Sequence, residues 1–329
     1  MNVMRTLNNH SQSSTGSDSQ QAVGVSMHTV HVPVLLQEVL KNLNIPKGGT
    51  VLDGTLGGGG HAAAMAQEVG ANGVLIGIDA DSRAIERAKY NLETTLVDKL
   101  PGLHLMQDNF RNLDKVLGTL KIQWLDAALF DLGLSSDQLE VSGRGFTFQN
   151  EEPLTMTLSD MVGEDTLTAK EIVNDWQEEN IADIIYGYGG ERYSRRIAKA
   201  IVEARTEAEI TTTEQLVSII TAAVPAHYRH GKTNPATKSF QALRITVNDE
   251  LGAAKEALDK VLKYIKPGGR VGVITFHSLE DRLVKRLFRQ WQEDGLGTII
   301  TKKPIAPTNE EVRENKRARS SKLRVFQRD

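Results

Sequence analysis

The sequence predicts an α/β fold, a doubly wound sheet of parallel strands interrupted by an all-helical insertion. Three observations carry that expectation. From residue 50, short apolar runs alternate with amphipathic stretches. A glycine-rich turn joins the first run to the stretch behind it. Between about 137 and 240 the alternation stops, and no convincing strand appears.

TVLDGTL (50–56) reads as a buried strand and GHAAAMAQEV (60–69) as the helix after the glycine turn. VLIGIDAD (74–81) is a second strand, followed by a helix over SRAIERAKYNLETTL (82–96) with Ser82 as its expected N-cap. LHLMQDN (103–109) and DAALFDLG (126–133) complete four strands separated by helical segments. VSGRGFTFQNEEP (141–153) reads as loop. Helices are expected over 168–188, 192–205 and 212–224. The α/β rhythm resumes with a helix at 247–265, a fifth strand at 270–278 and a helix at 279–292. GTIITKK (297–303) and KLRVFQR (322–328) read as two further strands joined by a polar loop. The domain expectation is therefore a tail over 1–26, a sheet domain over 27–136 and 241–329, and a helical insertion over 137–240.

Composition excludes several classes. With 40% hydrophobic and 25% charged residues in 329, the chain can bury a sizeable core. No stretch approaches the ~20 apolar residues a membrane-spanning helix needs. The first 26 residues are rich in Ser, Gln and Asn and too poor in large apolar residues to order themselves, with Met27 an alternative start. A single Arg there makes a poor transit signal. There is no cysteine, which removes disulfides, thiolate metal sites and thiol nucleophiles and is compatible with a reducing, cytoplasmic compartment. The net charge of -3 means that any nucleic-acid signal must be local.

The turn Asp53-Gly54-Thr55-Leu56-Gly57-Gly58-Gly59-Gly60-His61 lets the backbone bend sharply and a ligand approach a helix N-terminus. Dinucleotides and S-adenosylmethionine both use such a turn, so the motif alone is weak. Asp53 discriminates, because a carboxylate repels a pyrophosphate and attracts an ammonium or sulfonium. Asp79, nineteen residues after Gly60 at a strand end, is placed to accept ribose hydroxyls. Phe110 ends the third strand; an aromatic there can lie against adenine, although such a residue is more often core. Asp131, after the apolar fourth strand, is costly unless something polar meets it, and a helix cap competes with a ligand for that role. Ser135 and Ser136 read as turn and capping residues. His277 follows the fifth strand, facing the crevice or ending the strand, with Ser278 and Asp281 expected to form a capping box.

Three basic runs stand out. Arg192, Arg195, Arg196 and Lys199 are expected on one helical face, and Arg282, Lys285, Arg286 and Arg289 on another. Arg313 to Arg328 holds seven basic residues against one acid. Charge runs are usually solvated faces; three on an otherwise acidic chain favour phosphate contacts.

From His31 to Arg328 the motifs resemble the bacterial small-subunit ribosomal RNA cytosine-N4 methyltransferases, the RsmH or MraW type. HVPVLLQEVL resembles the opening of that family, DGTLGGGGH its cofactor loop, and FDLGLSSDQLE with GRGFTF its fourth-strand motif. NPATKSFQALRITVNDEL, ITFHSLEDRLVKRLF and RARSSKLRV follow in order. The resemblance implies a class I (Rossmann-like) methyltransferase sheet and S-adenosyl-L-methionine contacts by Gly59, Gly60, His61, Asp79, Phe110, Asp131 and Gln138. It further implies transfer to N4 of a cytidine in the decoding region of 16S ribosomal RNA, with naked RNA or the small ribosomal subunit as partner. One segment departs from the pattern: where the family usually reads PLDMRM, Thr155 and Thr157 replace the acid and the arginine.

The missing cysteine disfavours methylation at pyrimidine carbon 5, which generally needs a thiol nucleophile. An exocyclic amine can instead attack a methyl sulfonium directly when held in line, with Asp131 as the catalytic candidate and no metal required. The residues alone leave alternatives open: a methyltransferase of another substrate, an NAD-dependent oxidoreductase, or a non-catalytic RNA-binding protein. A homodimer is compatible with the sequence, which does not set the oligomeric state.

Overall fold

Short apolar runs pair into a sheet because each is long enough for one strand and buried on both faces. The computed structural model describes residues 33–96, 100–140, 142–163, 165–231 and 233–329. The tail expected over 1–26 and the alternative start at Met27 lie outside the described residues. In chain order the elements are α1 (Leu36–Leu43), β1 (Thr50–Asp53), α2 (Gly60–Val69), β2 (Val74–Asp79), α3 (Ser82–Thr95), β3 (Gly102–Gln107), α4 (Leu113–Thr119), β4 (Leu125–Asp131) and α5 (Ser136–Glu140). Then follow α6 (Ala169–Asp175), α7 (Glu178–Gly187), α8 (Ser194–Glu207), α9 (Thr213–Ala223), α10 (Ala226–Arg229), α11 (Thr237–Asn248) and α12 (Glu250–Tyr264). The chain ends with β5 (Ile265–Thr275), α13 (Ser278–Glu293), β6 (Gly297–Ile299), α14 (Asn309–Glu314) and β7 (Lys322–Arg328).

The sheet runs β3-β2-β1-β4-β5-β7-β6. Pairs from β3 through β5 are parallel. At the far edge β7 lies antiparallel between β5 and β6, so the sheet is mixed rather than parallel throughout. Alternate residues feed two cores. Val51, Leu75, Leu129 and Val325 pack on one face, and Leu52, Ile76, Phe130 and Phe326 on the other. The order reverses between β1 and β4, which makes their carboxyl ends the topological switch point.

Several local expectations are corrected by cap geometry. The N-cap of α3 is Asp81, not Ser82: its backbone is extended and its side chain accepts from the Arg83 N–H. The helix expected over 168–188 is two, because Trp176 turns extended after α6 and α7 starts afresh behind Gln177. Arg192 precedes α8 instead of sharing its face with Arg195, Arg196 and Lys199. Asp249, left-handed at φ 45°, separates α11 from α12.

Between β4 and β5 the one strand-like pairing among the described residues is an isolated bridge, Pro153 to Thr212. The helices there bury a third cluster around Ile172, Ile185, Ile197, Leu216 and Leu243. The expected boundary at residue 240 falls inside α11, whose Phe240 and Leu243 belong to this cluster.

Candidate active site

The glycine turn is shaped by what a Cβ would meet. Gly59 sits at φ +80°, and a Cβ there would lie 3.0 Å from the Cα of Ala88. At Gly60 it would lie 2.5 Å from Cγ of Pro33. Gly58, by contrast, has nothing within 4 Å of that position, so the turn is open on one side and packed on the other. Asp79 holds the open side in place: Oδ2 accepts from the Gly57 N–H (2.8 Å) and Oδ1 from the Asp81 N–H (2.9 Å). Burial raises its pKa against those two hydrogen bonds.

Two more carboxyls stand at the tips of the switch-point strands. Asp53, 1% exposed, accepts from the Thr55 N–H, and burial pushes its pKa up to about 6 although His61 opposes. Asp131 is pushed up to about 7 by burial; the Gly133 N–H opposes this and the Glu280 charge adds to it. The Asp131 side chain keeps 21% of its surface open, while Oδ1 is buried with no hydrogen-bond partner. His61 is buried, which lowers its pKa. Its Nε2 lies 2.9 Å from the Val34 carbonyl, which only accepts, so Nε2 carries the proton and Nδ1 faces Asp131 Oδ2 at 3.7 Å. A buried acid with an unmade hydrogen bond calls for a polar or cationic partner.

The structure brings Gly59, Gly60, His61, Asp79 and Asp131 together around this crevice. Phe110 starts a short 3-10 turn and packs edge-on to Phe130 with centroids 6.1 Å apart. Gln138 is 8% exposed, and its Oε1 accepts from the Ser135 N–H while Ser135 Oγ accepts from the Gln138 N–H. That reciprocal cap at the start of α5 accounts for Ser135, and it occupies the carbonyl of Gln138.

Beside Asp131 opens a cleft of about 320 Å³, lined by Gly133, Phe146, Phe148, Phe240, Phe276, Arg244 and His277 among others. His277 itself caps α13, in place of the expected Ser278–Asp281 box. Its Nδ1 accepts from the Glu280 N–H, and Glu280 Oε2 accepts from the Phe276 and His277 N–H groups. Histidine wins because its ring nitrogen reaches the third residue of the helix, with Glu280 buried to reciprocate. Nε2 of His277 lies 2.9 Å from Glu280 Oε1 but outside hydrogen-bonding geometry, which leaves it buried and unpartnered at the cleft. Glu250 converges on the same pair, within 4.8 Å ligand to ligand. Its carboxylate is held at both oxygens by Arg244 (2.7 and 2.9 Å), so ion pair and cap account for the cluster.

Sequence reasoning missed a strap over 142–163. Arg144 pairs with the 3%-exposed Asp81 and donates to the Leu158 carbonyl, while Asp160 accepts from Ser82 and from Gln107 (2.9 Å). Leu158 N–H donates to Asn248 Oδ1 at 2.7 Å. The strap thus ties the ends of β2 and β3 to α11. Its one local signal was the pair of glycines around Arg144, both at positive φ. Thr157, where the resemblance expects arginine, is buried with its hydroxyl unpartnered.

Of the basic runs, Arg282, Lys285, Arg286 and Arg289 are exposed along α13. The C-terminal run divides: Arg313, Lys316 and Arg319 are exposed, whereas Arg324 and Lys322 pair with Asp281, and Arg328 donates to the carbonyls of Leu262, Lys263 and Ile265.

Residues 28–329 match the family described as the MraW methylase family. Similar relatives are named ribosomal RNA small subunit methyltransferase H. That of Heliobacterium mobile is 44% identical over 314 residues, covering 91% of this chain and 98% of the relative. Those of Brevibacillus brevis and Halothermothrix orenii are 41% and 42% identical over 313 residues, with the same coverage. With nine-tenths of its length so matched, the chain belongs to the MraW methylase family.

Proposed function

We propose that this protein uses S-adenosylmethionine to methylate N4 of a cytidine in the decoding region of 16S ribosomal RNA. The observation that carries the proposal is Asp131: a carboxyl at the switch point, with one oxygen buried and unpartnered, between the glycine turn and the phenylalanine-lined cleft. The residues fit the cofactor. Gly58 leaves open space on the turn, Asp79 retains lone pairs for ribose hydroxyls, and Asp53 and Asp131 complement cationic groups. When bound, S-adenosylmethionine supplies an electrophilic methyl group on a cationic sulfonium.

The chain's own part is to hold the amine. The rings of Phe146, Phe148, Phe240 and Phe276 give a planar base apolar walls and exclude water, and a base drawn from a stack could enter there. Asp131 accepts a hydrogen bond from the amino group, and as a carboxylate beside the cationic cofactor its unpartnered Oδ1 takes up the proton that N4 sheds. Relatives named for the small subunit support that substrate, which makes the cytoplasm the working compartment. The helical segment between β4 and β5 supplies three of the four phenylalanines, which supports a role in RNA recognition. The test is methyl transfer by purified protein to small subunits, naked 16S RNA and DNA, with mass spectrometry of the RNA. One new N4-methylcytidine is expected; methylation of carbon 5 alone, or of DNA alone, would overturn the proposal.

A further inference from the structure

On the helical segment, one surface displays aromatic rings and exposed positive charge together. The Arg192 guanidinium lies 4.8 Å from the Tyr193 ring centroid and 5.3 Å from that of Tyr228, and those rings pack edge-to-face at 5.1 Å. Arg192 is exposed and makes no ion pair or side-chain hydrogen bond among the described residues. Stacking therefore fixes the guanidinium without using its donors. The neighbouring acid is withdrawn: Glu191 is fully buried, accepting from the Tyr193 N–H (2.8 Å) and the Tyr228 hydroxyl. Its charge braces the rings from beneath and does not face solvent beside Arg192.

Two further aromatics, Tyr186 (67% exposed) and Tyr188 (36%), stand at the end of α7. Lys238 on α11 donates to the Gly190 carbonyl, lies 3.9 Å from the buried Glu191 carboxylate and remains 45% exposed. The surface is continuous with the cleft through one turn of α11. Thr237 and Gln241 line the cleft, and Gln241 donates to the Tyr188 carbonyl at 2.9 Å. At Gly189 a Cβ would lie 2.4 Å from the Lys238 carbonyl oxygen, so loop and helix pack too closely for any other residue. Single exposed aromatics are ordinary, but a clustered set stacked with a donor-rich cation matches what single-stranded nucleic acid requires.

We propose that Tyr186, Tyr188, Arg192, Tyr193, Tyr228 and Lys238 form a platform for single-stranded RNA flanking the nucleotide held in the cleft. The inference rests on the proposed function for its choice of RNA. Bases stack on the exposed rings of Tyr186 and Tyr188, and Arg192, held over Tyr193 and Tyr228, meets phosphates with Lys238 without reading sequence.

The test is fluorescence anisotropy with a labelled single-stranded RNA of about twelve nucleotides and with its duplex, using the full chain. Arg192→Gln and the pair Tyr186→Ser with Tyr188→Ser are each expected to weaken single-strand binding by about tenfold. Affinity for S-adenosylmethionine and the unfolding temperature should stay those of the parent, since all three side chains are exposed. Unchanged single-strand affinity in both variants overturns the platform, as does an equal loss on duplex, which would indicate charge alone. A parent protein that binds the RNA through these residues and yet methylates no small subunit overturns the proposed function while the platform stands.

Discussion

Asp131 carries opposite demands in the free and liganded protein. Its carboxyl is pushed up to about 7 because burial disfavours the charge, so the free protein is most stable with this proton on. A group whose folded pKa is raised contributes stability below its unfolded value, near 3.8, and loses that contribution as pH rises through about 7. Asp53, raised to about 6, behaves the same way over a narrower window. Asp131→Asn removes the ionisation, so its unfolding temperature should gain on that of the parent as pH climbs from about 4 to about 8, as scanning calorimetry can follow. A constant offset would mean that the carboxylate is not strained by burial. Binding has the opposite sign. A cationic ligand favours the carboxylate, so calorimetry should show S-adenosylmethionine affinity rising through pH 7 with a proton released. Asp131→Asn should flatten that dependence and cost about tenfold or more in affinity above it. Gly60→Ala probes the turn without touching charge. Its Cβ would press on Pro33 at 2.5 Å, and a loss of about 1–3 kcal/mol is expected in urea unfolding.

Elements report what is local and hide what is not. β2, β4 and α2 stand within about two residues of where the apolar runs and the glycine turn put them, because strand length, glycine and caps act over one or two turns, while β1 begins at Thr50 as expected and ends three residues early at Asp53. The acidic strand tips and the glycine turn were legible for the same reason. The break at Trp176 was not, since the pattern stays helical across it and the shared core of α6 and α7 decides the angle. The cap at His277 depends on burying Glu280, a tertiary fact. The strap was invisible because its fastenings join residues far apart: Arg144 to Asp81, Asp160 to Ser82. Arg144→Ala would leave Asp81, also the N-cap of α3, as a buried carboxylate without its cation. A destabilisation of about 3 kcal/mol is expected in chemical unfolding, with weaker cofactor binding because the strap lies against the ends of β2 and β3. Asp81→Asn on the same background should recover part of the stability. No recovery would show that the pair is not coupled.

Over the whole molecule a net charge of -3 is compatible with RNA binding only if positive charge is segregated, and the fold does this unevenly. The β7 end of the C-terminal run turns inward while Arg313, Lys316 and Arg319 stay exposed: Arg324 is 7% exposed against Asp281, and Arg328 is tied to three carbonyls, so these charges brace β7 against the rest of the sheet. The α13 run stays in solvent, its four cations on the face opposite the buried Val284, Phe288 and Trp291. The two runs should therefore separate under mutation. Replacing Arg282 and Arg286 by Gln should lower RNA affinity at low salt and reduce the slope of log K against log salt by about one for each phosphate no longer neutralised, with stability unchanged. Replacing Arg324 by Gln should leave the slope alone and lower stability, because Asp281 is then deprived of its buried partner. Should the slope follow Arg324 and ignore α13, the RNA path would run along the β7 edge of the sheet, and the segregation of charge inferred from side-chain pairing would be wrong.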